Sequence, residues 1–126
     1  MVQENMVSGQ ELEQAISCFM LELGIPAHLR GYQYLRSAVE MCTKDMELVG
    51  SVTKLLYPDL AKLYKTTDQK IERAIRNAIE VSWERGNSAL FEQLFGYCNS
   101  NEYSRPTNSE YIATVADYIR LKYGLI

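Results

Sequence analysis

One histidine, His28, is all that the 126 residues contain, and that scarcity removes most hydrolytic and transfer chemistry. A Cys/His or Ser/His pair could be built only around it. Its place between Ala27 and Leu29, close to an expected helix start, suits capping or a phosphate contact better. The three cysteines, Cys18, Cys42 and Cys98, stand far apart and form neither a Cys-X-X-Cys pair nor a zinc-ligand spacing. Their odd number fits a reducing compartment. No Walker-type or dinucleotide-type glycine loop is present, so no catalytic residue, metal or cofactor is expected. No apolar run approaches the roughly 20 residues that a bilayer span needs, and residues 1–9 lack the basic start and apolar stretch of a signal peptide. The expectation is a soluble cytoplasmic protein with no membrane partner. Stretches alternating with period two are missing as well, and with them any convincing strand.

Excess positive charge is also lacking overall: the net charge is −3 and the pI about 5.2, which counts against binding a polyanion. The distribution reverses that reading in the middle third. Residues 1–50 carry three basic and seven acidic side chains, and residues 87–126 three and four. Residues 51–86 hold seven basic side chains against five acidic ones.

What the sequence does have is helical periodicity. Ser8 and Glu11 are spaced as a capping box, and Leu12, Ala15, Ile16, Phe19, Met20 and Leu23 form one apolar stripe ended by Gly24 and Pro26. A second helix is expected over about 29–43, with Tyr32, Leu35, Ala38, Val39 and Cys42 inward and Gly31 blurring its start. Met46, Val49, Val52, Leu55 and Leu56 suit a further helix, broken or restarted at Pro58, and a short helix then covers 59–64. Thr66 with Gln69 is a second capping-box spacing, opening a helix that runs from about Asp68 to about Arg85 and stops at Gly86-Asn87. A short helix with Leu90, Phe91, Leu94 and Phe95 follows, and a polar loop over 98–106. Thr107 with Glu110 opens a last helix that buries Ile112, Val115 and Ile119, with Tyr111 and Tyr123 beside them. The fold class is all-α, with residues 1–10 as a linker and 11–126 as one domain.

Within residues 60–75 two helical patterns meet at a three-residue turn, the layout of a helix-turn-helix. Ala61 supplies the small side chain needed where the two helices cross, and Ile71, Leu60, Tyr64 and Ala74 complete a wedge between them. Lys65 stands where a turn glycine is usual. At about 100° per residue, Ile71, Ala74, Ile75, Ala78 and Ile79 share one side of the second helix, while Gln69, Glu72, Arg73, Arg76 and Glu80 share the other. That free side carries major-groove chemistry. Arg73 and Arg76 can present paired donors to guanine, Gln69 and Asn77 can bond adenine or phosphate, and Glu72 can accept from cytosine. A bland reading fits the same spacing, since Glu72 and Arg76, at i and i+4, make an ordinary exposed ion pair. His28, Lys54, Lys62, Lys65, Thr66, Thr67, Lys70 and Arg85 are expected at phosphates, where they fix register without reading sequence. Trp83, Phe19 and the tyrosines lie on apolar helix faces, which argues for packing rather than for stacking on single strands or RNA.

On these residues the chain resembles a known family, the C-terminal effector domain of stage zero sporulation protein A, the master sporulation response regulator of endospore-forming bacteria. The resemblance covers nearly everything after about Glu11. It rests on tracts such as Gly24-Ile25-Pro26-Ala27-His28, Leu56-Tyr57-Pro58-Asp59, Ile71-Glu72-Arg73-Ala74-Ile75-Arg76, Arg85-Gly86-Asn87 and Pro106-Thr107-Asn108-Ser109-Glu110. It implies a six-helix domain binding double-stranded DNA at tandem TGTCGAA-like sites, with base readers at Glu72, Arg73 and Arg76 and weak self-association of neighbouring copies through regions that include the last helix. It also implies a contact between a segment near the fifth helix and a sigma subunit of RNA polymerase, which places Leu90, Glu92 and Phe95 there. Lys70 and Asn77 depart from the arginine and histidine usual in that family, and residues 88–92 look different from its polymerase-contact segment. The family's receiver domain has no counterpart in these residues, which are expected to be an excised fragment or a stand-alone relative. A second reading stays open: a protein-interaction module on the same helical scaffold, with weak or no DNA binding.

Overall fold

The computed structural model describes residues 9–97 and 104–124; Ser8, Cys98 and the first part of the expected polar loop lie outside them. Six α-helices occupy the described residues: α1 (Gly9–Glu22), α2 (Arg30–Lys44), α3 (Tyr57–Leu63), α4 (Asp68–Arg85), α5 (Ser88–Phe95) and α6 (Asn108–Tyr123). No described residue is in a strand, and no helix among them is long and apolar enough to cross a membrane.

α1 ends as its sequence predicts. Gly24 takes φ +85°, and the last carbonyls are met by the amides of Gly24 (to Leu21, 3.0 Å) and Ile25 (to Met20, 3.2 Å), a Schellman motif that needs a left-handed residue at its centre. α2 is the hub, packing against α1, α4 and α6 with Tyr32, Leu35, Ala38, Val39 and Cys42 all buried. Gly31 turns out to be a packing residue. A Cβ there would lie 2.2 Å from the Ala74 carbonyl oxygen, so a hydrogen in place of a side chain lets α2 and α4 touch backbone to backbone.

Between α2 and α3 the expected helix is distorted. A 3-10 turn over Met46–Ser51 passes into a π turn over Val52–Leu56. Pro58, in the first turn of α3, has no amide to give the Lys54 carbonyl, and the Tyr57 amide reaches back five residues to Val52 instead. Such turns rotate side chains by angles other than the 100° of an α-helix. Val52 and Leu56 are accordingly buried, but Leu55, which helical spacing groups with them, is 51 % exposed.

The core closes around one polar link. Buried Ser82 on α4 donates to the Leu23 carbonyl (2.6 Å) and accepts from the Tyr111 hydroxyl of α6 (2.7 Å), so both protons and the carbonyl are satisfied. Trp83, Phe91, Phe95 and Tyr111 pack edge-on, stacked or tilted at centroid distances of 5.3–5.5 Å, tying α5 to the C-terminal end of α4. Burial, with Asp45 adding to it, pushes the Cys42 thiol up to about 11, which makes it an inert core side chain. α6 begins with the expected capping box: Thr107 accepts from the Glu110 amide (3.1 Å) while Glu110 accepts from the Thr107 amide (2.8 Å).

Candidate nucleic-acid interface

The turn between α3 and α4 is another Schellman motif. The Thr66 amide bonds the Ala61 carbonyl (2.9 Å) and the Lys65 amide bonds that of Lys62 (3.4 Å), the same pattern that ends α1. Where α1 uses Gly24, this turn uses Lys65, the non-glycine residue with a positive φ (54°) among those described. A residue with a Cβ loses about 1–2 kcal/mol in that conformation, part of which glycine would give back as unfolded-chain entropy. Lys65→Gly should therefore stabilise the fold by up to about 1 kcal/mol, read as a raised Tm. If Lys65 also meets a phosphate, the same variant should reduce the slope of log affinity against log salt by about 0.9. A lowered Tm would refute the strain.

α4 starts one capping residue later than the Thr66/Gln69 spacing suggests. Thr67 is the cap, its hydroxyl accepting from the Lys70 amide at 3.2 Å, because Thr66 is already committed to closing α3. With Lys70 three residues on, no carboxylate or amide reaches back, and the reciprocal box is not formed.

The two faces of α4 separate as expected. Ile71, Ile75, Ala78 and Ile79 are buried, with Ala74 half-buried against Gly31. Gln69, Arg73, Arg76, Asn77 and Glu80 are exposed, and Glu72 is half-buried. Leu60, Ala61 and Ile71 form the buried wedge, and Tyr64 joins α3 to α2 through the Ser37 hydroxyl (2.6 Å) and the Tyr34 ring (4.9 Å). Arg76 and Glu72 make the i,i+4 ion pair at 3.7 Å. Arg73 has no ion-pair partner among the described residues.

Arg73 instead faces a groove shared with Lys70, Asn77, Thr66, Tyr34 and Arg30. Arg30, the first residue of α2, escaped the sequence reading because it lies about 35 positions from the turn. Its signal was a cation in the first turn of a helix, where the dipole favours acids. With it, three cations converge beside the exposed face of α4. His28 is exposed two residues ahead of Arg30, Lys62 and Lys65 are exposed beside the turn, Thr67 is exposed at the α4 cap, and Lys54 is exposed on the π turn.

Other expected residues lie elsewhere. Arg85 is the last residue of α4, about 18 Å along the axis from Arg73 at 1.5 Å per residue. The α5 residues sit at that same far end: Glu92 is exposed, Leu90 half-buried, and Phe95 stacked on Phe91. α4 is thus long enough to present one end to a groove and the other to a different partner.

A second anchor was not foreseen. Asn108, the first residue of α6, is 9 % exposed and donates from Nδ2 to the Tyr57 hydroxyl (2.9 Å) and to the main-chain carbonyl of Glu72 (3.2 Å). Just ahead of α6, Arg105 pairs with Glu80 at 3.8 Å. Residues 16–119 of the chain match the family model described as sporulation initiation factor Spo0A C terminal.

Proposed function

The chain belongs to the family of the C-terminal domain of sporulation initiation factor Spo0A, a family of DNA-binding effector domains of sporulation regulators, and within it we propose a sequence-specific transcription regulator whose α4 enters the major groove. Gln69, Glu72, Arg73, Arg76 and Asn77 read base edges. Lys70 and Arg30 grip phosphates beside them, joined by Lys62, Lys65, the Thr66 and Thr67 hydroxyls, His28, Lys54 and, at the far end, Arg85. The observation that carries this reading is Arg73 on an exposed helix face, without an ion-pair partner among the described residues and flanked by two amides and two further cations. A guanidinium fork left without an internal partner is matched to the O6 and N7 of guanine.

The preferred operator is a tandem pair of TGTCGAA-like sites, on which neighbouring copies associate weakly. Leu121, 64 % exposed on α6, is an apolar side chain available for that contact. Leu90, Glu92 and Phe95 meet a sigma subunit of RNA polymerase from the opposite end of α4. The protein works in the cytoplasm, with residues 11–126 as one binding unit; the linker expected over 1–10 is shortened by α1, which already includes Gly9 and Gln10.

The test is fluorescence anisotropy with a labelled duplex carrying two tandem sites and a scrambled duplex of equal length, at two salt concentrations. Tighter binding to the tandem sites, with an affinity that falls as salt rises, is expected. Binding to neither duplex at low salt would replace this reading with that of a protein-interaction module; equal binding to both would mean that the operator is wrong.

A further inference from the structure

A polar groove beside α4 is lined by Thr53, Tyr57, Glu72, Arg76, Arg105 and Asn108, among others. In an α-helix the Glu72 carbonyl already accepts the amide four residues on; Asn108 occupies its second lone pair from a different element. The other Nδ2 bond goes to Tyr57, at the start of α3. One side chain therefore ties both helices of the helix-turn-helix to the N-terminus of α6. Its point of attachment on α4 is the residue whose side chain pairs with Arg76. Burial pushes the Tyr57 phenol up, against the opposing pull of the Asn108 hydrogen bond, so the hydroxyl stays neutral and remains a partner for the amide. The Arg105–Glu80 pair, two turns further along α4, holds the same segment to the same helix.

We propose that Asn108 is a positioning residue for base recognition: by bonding the Glu72 carbonyl and the Tyr57 hydroxyl together, it fixes the rotation of α4 that aims Glu72 and Arg76 at base edges. This rests on the reading of α4 as the base-reading helix. The Asn108 side chain touches no base itself. Its loss should lower discrimination between sequences while leaving the cations that grip phosphates in place.

The experiment compares wild type, Asn108→Ala, Tyr57→Phe and the double variant on the tandem-site and scrambled duplexes, with Ile119→Val as a control for core loosening at the other end of α6. Asn108→Ala should lower the preference for the tandem sites about tenfold, about threefold for each of its two hydrogen bonds, with scrambled binding and its salt slope unchanged. Tyr57→Phe, which keeps the ring, should lower it about threefold, and the double variant should be no worse than Asn108→Ala. Ile119→Val should lower the Tm by a few degrees and leave the preference intact. If Asn108→Ala melts too low to be assayed, the Tyr57→Phe loss decides the question. A preference unchanged in both variants, losses that add in the double variant, or an equal loss in Ile119→Val would overturn the positioning role. A wild type without preference would overturn the TGTCGAA-like operator, and this inference with it.

Discussion

Arg73→Ala is expected to erase most of the preference for tandem TGTCGAA sites over a scrambled duplex, a loss of about 1–3 kcal/mol for one bidentate base contact, or roughly 5- to 150-fold. The side chain is exposed on α4 and has no ion pair to lose among the described residues, so the melting temperature should stay within the range of an ordinary surface substitution, about ±0.5 kcal/mol. Arg76→Ala should lose less. Arg76 must leave or share its pair with Glu72 at 3.7 Å to reach a base, and although such an exposed pair is worth only about 0–1 kcal/mol, it subtracts from what the base contact gains. Lys70→Ala supplies the contrast, since a lost phosphate contact weakens both duplexes alike and lowers the salt slope by about 0.9. Anisotropy titrations at several salt concentrations separate the two patterns. A tandem-site preference that survives in Arg73→Ala would falsify the placement of this residue at a base.

The order of these effects was largely legible in the sequence, because an α-helix rotates by a fixed angle and the residues of α4 obey it. The buried Ile71, Ile75, Ala78 and Ile79, and the exposed Gln69, Arg73 and Arg76, follow from spacing alone. The ends of α1 and α6 were legible too, through Gly24 and the Thr107–Glu110 box, since each motif is complete within a few residues. Spacing misplaced the α4 cap by one residue. Thr66 and Thr67 both offer a hydroxyl, and only the hydrogen bond from the Thr66 amide to Ala61 decides that Thr67 is the cap. Leu55 was misjudged for a related reason, in that the consequence of Pro58 is a π turn before it rather than a plain break. Arg30 and Asn108 were missed because neither lies near α4 in sequence. What brings them there is the packing of α2 and α6 against α4, and no local periodicity encodes that.

That packing makes Gly31 a sensitive position in the scaffold. By helix propensity alone, Gly31→Ala should stabilise α2 by up to about 1 kcal/mol. The structure reverses the sign. The added Cβ would lie 2.2 Å from the Ala74 carbonyl oxygen and 2.7 Å from the Ala78 Cβ, and the first of these obstacles is helix backbone that no rotamer change can move. Overpacking typically costs about 1–3 kcal/mol, and the upper end is expected here, which corresponds to a fall in Tm of roughly 10 °C. DNA binding should fall with it, because Ala74 directly follows Arg73, and pushing α4 away from α2 widens the groove that gathers Arg30, Lys70 and Arg73. A second substitution separates the two clashes. Ala78→Gly removes only the side-chain contact, so in the Gly31→Ala background it should restore little of the stability and none of the tandem-site preference. Full recovery of both in the double variant would mean that α2 and α4 meet through side chains, and that the backbone contact at Ala74 does not set the position of the reading helix.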